Sequence, residues 1–210
     1  YRDSTPSFPQ PVRARKGSPN VLLILLDDVG FGMCSTFGGP VPTPHMQKLA
    51  DNGLKYNRFH TTALCSPTRA ALLCGRNHHS CGTGVIIEMG TGFPGYTGII
   101  PRSTALVSQM LRDNGYATGM FGKWHNTPEP DISPAGPFDR WPTGHGFDYF
   151  YGFMAGETSQ WEPRLYENLN AIEPPHDEKY HLTEDMAEKG LAWLKRHQAF
   201  SPDKPFVMYW

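Results

Sequence analysis

Six consecutive apolar residues, Val21-Leu-Leu-Ile-Leu-Leu26, run without a polar interruption and stop at Asp27-Asp28-Val29-Gly30. A strand with one wet face alternates, whereas a strand of a parallel sheet covered on both faces is apolar throughout. The run therefore predicts a covered parallel strand with two carboxylates just past its carboxyl end. Two helical patterns follow. Thr43-Pro44 supplies a cap and a first-turn proline, Met46, Leu49 and Ala50 recur at helical spacing, and Gly53 fits the residue beyond the C-terminal cap. A second helix is expected from Ser103 through Leu106, Met110 and Leu111 to Gly115, feeding a strand at Tyr116-Ala-Thr-Gly-Met-Phe121 and then Gly122-Lys123-Trp124-His125. Thr183 is read as the cap of a last helix, with Glu184 and Asp185 in its first turn and Lys195, Arg196 and His197 in its last, as the helix dipole favours. Pro205-Phe-Val-Met-Tyr-Trp210 reads as a buried strand.

Two stretches lack such patterns. Pro6, Pro9, Pro11 and Pro19, with basic residues between them, mark residues 1–19 as an extended arm. Residues 126–180 are rich in proline, glycine and aromatics without a sustained period, which predicts a long ordered excursion over the sheet's edge or mouth. Helices alternating with continuous apolar strands indicate an α/β fold, a largely parallel, mixed sheet flanked by helices. Because the chain stops inside a strand pattern, residues 20–210 are expected to be the N-terminal portion of a larger catalytic domain.

Composition narrows the function classes. A chain of 210 residues that is 39% hydrophobic can bury a core, and a net charge of −1 leaves neither a broad basic face for nucleic acid nor a polybasic stretch for anionic lipid. The longest apolar run is far shorter than the roughly 20 residues that span a bilayer. No leader precedes Tyr1, so the compartment stays open: periplasmic, secreted or cytoplasmic. The four cysteines, Cys34, Cys65, Cys74 and Cys81, are too sparse for a disulfide framework and match no zinc spacing.

The chemistry gathers in three places. Cys65-Ser66-Pro67-Thr68-Arg69 opens an apolar helical run, so Cys65 or Ser66 is the expected cap, at a helix start where the dipole favours negative charge, with Arg69 one turn on. For a lone cysteine, an inert buried thiol is the commoner role. Asp27 and Asp28, being adjacent, would point to opposite faces of a strand, so joint ligation needs a backbone turn that Gly30 and Gly32 make easy. Oxygen-only donors suit Ca²⁺ or Mg²⁺. Lys123 and His125 would share one face of an extended segment, Trp124 anchoring the other way. Parallel sheets bind ligands at the carboxyl ends of their strands, where both the aspartate pair and the Lys123/His125 pair fall. His78 and His79 are at most pocket-wall residues, and His145 is read as structural.

Cys65-Ser-Pro-Thr-Arg69 followed by Ala-Ala-Leu-Leu-Cys-Gly-Arg76 resembles the sulfatase signature C-x-P-[ST]-R-x-x-L-x-[TS]-G-R, with Cys74 where threonine or serine is usual. Asn20 to Gly30 resembles that family's first strand and metal-binding turn, Gly115 to His125 its GYxT…GKWH block, and Gly146-Phe-Asp148 another recurring segment. The run Gly75 to His79 and the segment from Trp141 to Glu162 most resemble bacterial arylsulfatases of the alkaline phosphatase superfamily. The resemblance implies a sulfuric ester hydrolase whose nucleophile is formylglycine, made from Cys65 by a maturation enzyme, and whose Ca²⁺ or Mg²⁺ is held by Asp27, Asp28 and residue 65. It assigns Lys123 and His125 to sulfate contact and to the nucleophile's chemistry, with His125 assisting loss of the second proton of the hydrated aldehyde, while Arg69 joins Asp27, Asp28, the cation and Lys123 in stabilising charge on the sulfuryl group. It also implies further metal and leaving-group residues later in the family's chain, without which this stretch is expected to turn over little. A formylglycine-dependent phosphonate or phosphate ester hydrolase and a non-catalytic binder of sulfated glycans are the alternatives.

Overall fold

The structure, a computed structural model, describes residues 2–210. Its centre is a six-stranded sheet built from β1 (Val21–Leu23), β2 (Ala117–Lys123), β3 (Tyr149–Phe153), β4 (Leu165–Glu167), β5 (Asn170–Ile172) and β6 (Phe206–Tyr209), in the order β1-β6-β2-β3-β4-β5. The first four in that order are parallel and β4 and β5 are antiparallel, which is the mixed, largely parallel sheet expected. Helices α1 (Pro44–Asp51), α2 (Cys65–Cys74), α3 (Val107–Asp113) and α4 (Leu182–Phe200) complete it. None among the described residues is long and apolar enough to cross a membrane. Residues 4–15 of the arm hold no helix or strand. A Cβ on Gly115, whose φ is +85°, would meet the backbone of Arg13 and Ala14, so the arm runs directly over that glycine.

The strand alternation sorts the core into two layers. Met120, Phe150 and Tyr209 point to one face and pack with Leu73 and Ala70 of α2, Leu106, Trp124, Trp141 and Phe147. Phe121, Tyr151 and Met208 point to the other, against Leu182 and Trp193 of α4. Within residues 2–210, β1 is covered on one face only. Leu23 is in register with Tyr209 and, like Leu25, packs into the first layer; Leu22 is in register with Met208 and is 58% exposed. Ile24 and Leu26, next in the alternation, are exposed as well. α4 lies over β2 and β3, two strands away from β1, and its apolar stripe does not reach that far.

Local expectations also shifted. Thr43 holds the cap position of α1, with Pro44 next, but its hydroxyl is shared with those of Ser35 and Thr36 and makes no cap bond. α3 begins only after Leu106, whose N–H is taken by the Gln109 side chain. The imidazole of His181, not Thr183, caps α4 by accepting the Thr183 N–H at 3.3 Å. The excursion at 126–180 contains three strands: β3 is aromatic and five residues long, too short for a visible period, and gains its place by pairing along β2. The Gly146-Phe-Asp148 segment is a clasp on β2. Thr118 donates its hydroxyl to the Gly146 carbonyl at 2.8 Å and accepts the Asp148 N–H at 2.9 Å.

Candidate active site

Asp27 and Asp28 sit just beyond β1, Lys123 closes β2, and Tyr209 closes β6 between them, so the topology gathers these groups on one rim. Arg69 reaches that rim from the second turn of α2. Its guanidinium donates to Asp27 Oδ1 at 3.1 Å, to the Lys123 carbonyl at 2.7 Å and to the Tyr209 hydroxyl at 3.3 Å. Lys123 Nζ donates to the other oxygen, Asp27 Oδ2, at 2.8 Å. One carboxylate therefore bridges two cations. Burial pushes the Asp27 carboxyl up, but the Lys123 ammonium and Arg69 guanidinium outweigh it and hold it below the usual carboxylate range.

The backbone turn expected from Gly30 and Gly32 occurs at Asp28 itself, whose φ is +54°. Aspartate is among the few residues with a side chain that enter this region at modest cost. Asp27, Asp28, Cys65, Thr68 and Arg69 line one cavity of about 340 Å³. Cys65, half-buried, is the first residue of α2 rather than its cap. That position belongs to Leu64, which offers no side-chain hydrogen bond, so the first-turn N–H groups of Cys65 and Ser66 have no side-chain cap. An uncapped start attracts negative charge.

His125 departs from expectation. The premise of an extended segment fails at its φ of +54°, and while Lys123 Nζ turns to Asp27 the His125 ring lines a second cavity, of about 320 Å³, with Glu88, Thr127 and Met154. Nε2 meets Glu88 Oε1 at 2.5 Å, while Nδ1 is buried without a partner. Burial lowers the imidazole's pKa; Glu88 pulls it up, and Lys123 and Arg69, close enough to be felt, push it down again, leaving it below the usual value. Trp124 behaves as expected, fully buried with its indole N–H on Thr127 Oγ1 at 2.9 Å. His78 and His79 line neither of these cavities; they pack on each other, and His79 packs on Tyr96. His145 is buried against Trp124, in keeping with a structural role.

A family model described as Sulfatase matches residues 19–210. The chain belongs to the sulfatase family. It is 34% identical over 165 residues to an uncharacterized sulfatase of Schizosaccharomyces pombe, which covers 74% of this chain and 28% of that one. With an arylsulfatase of Klebsiella aerogenes it shares 29% identity, covering 87% and 40%. A solved structure in complex with its substrate, D-glucosamine-2-N,6-O-disulfate, superposes with a TM-score of 0.70 at 24% identity, over 93% of this chain and 34% of the other, and shows the shared fold. This sulfatase chain thus spans between about a quarter and two fifths of the curated relatives it matches.

Glu88, Tyr209 and Thr62 were not singled out from sequence, and Thr68 entered only as the serine-or-threonine position of the signature. Thr62 and Thr68 share a hydroxyl contact of 2.6 Å in the wall of the Cys65 cavity. Nothing in the local pattern announced that contact; only the fold carries Glu88 to His125 and Tyr209 to Arg69.

Proposed function

We propose that the protein is a sulfuric ester hydrolase of arylsulfatase type, acting through formylglycine made from Cys65. The carrying observation is the double ion pair of Asp27 with Arg69 and Lys123, with Asp27 and Arg69 in the wall of the cavity that Cys65 lines. Oxidation at residue 65 supplies an aldehyde whose hydrate is the nucleophile; a thiol has no second hydroxyl from which to release sulfate. The α2 start and Arg69 present fixed positive charge where the sulfuryl oxygens gain negative charge, with no reorganisation needed at the moment of reaction. Lys123 adds an ammonium held on Asp27 at the same rim, and His125 is the base that takes a proton from residue 65.

The donors suit a hard cation, since Asp27 and Asp28 bring oxygen only. Yet among the described residues no group of three or more His, Cys, Asp or Glu gathers as a metal cluster, so these residues supply only part of a shell. We assign Asp27, Asp28 and the oxidised residue 65 to one side of a Ca²⁺ or Mg²⁺ ion, which when bound would draw charge from a sulfuryl oxygen. The substrate class is a small or glycan sulfate ester, and a formylglycine-generating maturation enzyme is the required partner.

Peptide mass spectrometry around Cys65, after coexpression of the full-length protein with a maturation enzyme, tests the reading together with turnover of aryl sulfates, phosphates and phosphonates. The expected result is loss of the thiol, gain of an aldehyde and preference for the sulfate. Turnover with unmodified Cys65, or preference for phosphonate, would overturn it.

A further inference from the structure

Glu88 is held where its carboxylate meets His125 by a local turn tied to α2. It lies in a single helical turn, Ile87–Met89, whose first N–H donates to Ser66 Oγ at 3.0 Å, so the turn is tied to the residue beside Cys65. Ser66 is fully buried, which makes that tie a fixed one. The ring is also closed in from the far side. A Cβ on Gly156 would lie 2.9 Å from His125 Cε1 and Nε2 and 3.2 Å from Glu88 Oε1, leaving no space for a side chain over the pair. His125 itself is 2% exposed, and only one of its ring nitrogens has a partner.

A neutral imidazole carries one N–H, and the carboxylate can only accept. The proton must therefore sit on Nε2, which leaves the Nδ1 lone pair as the one site able to receive another. We infer that Glu88 is the positioning residue of His125: it selects the tautomer, and with Gly156 and Ser66 it fixes the ring so that Nδ1 is the working base. This deepens the proposed hydrolysis and rests on His125 being its base. Charge is secondary in this arrangement, because an amide oxygen at the same place would accept the same N–H.

The test uses full-length protein with ¹⁵N-labelled histidine at neutral pH, reading the protonation of each His125 nitrogen, alongside kcat and KM for an aryl sulfate. In the parent, Nε2 is expected protonated and Nδ1 bare. Glu88→Ala should mix the tautomers and lower kcat about 10- to 100-fold with KM little changed, whereas Glu88→Gln should keep the parent's signals and recover most of kcat. Gly156→Ala, which intrudes on the pair without removing it, should disturb the same signals. An Nε2–H signature that survives in Glu88→Ala overturns the inference. If the parent shows the signature and loses it in Glu88→Ala but hydrolyses no sulfate ester, it is the functional reading that fails and the positioning role that stands.

Discussion

Removing the Arg69 side chain separates a structural keystone from a mere surface charge. Arg69→Ala deletes three donors at once from a side chain that is 5% exposed. The Tyr209 hydroxyl and the Lys123 carbonyl each lose a charge-assisted hydrogen bond, and a polar group left unpaired in the interior costs about 1–3 kcal/mol. The Asp27 carboxylate is 41% exposed and keeps Lys123, so solvent screening limits its share to below about 1 kcal/mol. The sum is roughly 2–7 kcal/mol, which brackets the loss of about 3–5 kcal/mol found when one partner of a buried pair is removed. Urea denaturation should show a lower midpoint at unchanged slope. Arg69→Lys, which keeps the charge but not the planar fork, should lose about half as much, since an ammonium cannot meet three acceptors set around a guanidinium. A loss under about 1 kcal/mol for Arg69→Ala would refute the account, because it would mean that neither Tyr209 nor the end of β2 depends on this side chain.

Other outcomes are equally specific. Cys65→Ser should abolish sulfate ester turnover of the full-length protein while leaving the thermal midpoint nearly unchanged, since Cys65 is half-buried and caps nothing; retained activity would exclude this nucleophile. Burial drives His145 from an ordinary 6.5 to about 4, so it is neutral when folded while the unfolded chain binds a proton. Its contribution is complete above pH 6.5 and is lost as pH falls toward 4, by roughly 3 kcal/mol. His145→Phe should flatten the dependence of the urea midpoint on pH across that window, and an unaltered slope would contradict it. Asp185 accepts the hydroxyls of Tyr151 and Tyr180 on one oxygen, so Asp185→Ala should destabilise by about 2–4 kcal/mol in the same assay, and Tyr180→Phe by about 1.

Read along the chain, the residues determined the sheet class, the strand ends that carry Asp27, Asp28 and Lys123, and the helix start that presents Cys65, because each depends on local periodicity and on turn chemistry that needs no partner. The four motif blocks named the chemistry for the same reason: their residues are contiguous. Tertiary structure decided what periodicity cannot carry. Which strands α4 covers, β2 and β3 and not β1, is settled by the order of the sheet, and the placement of β3 follows from its pairing with β2 rather than from its own five residues. Asp27 bridges Arg69 and Lys123, 42 and 96 residues away in sequence, and Glu88 meets His125 across 37. A hydrogen bond of that span leaves no trace in spacing, since its geometry is created only when the strands between are registered and the core has closed around them.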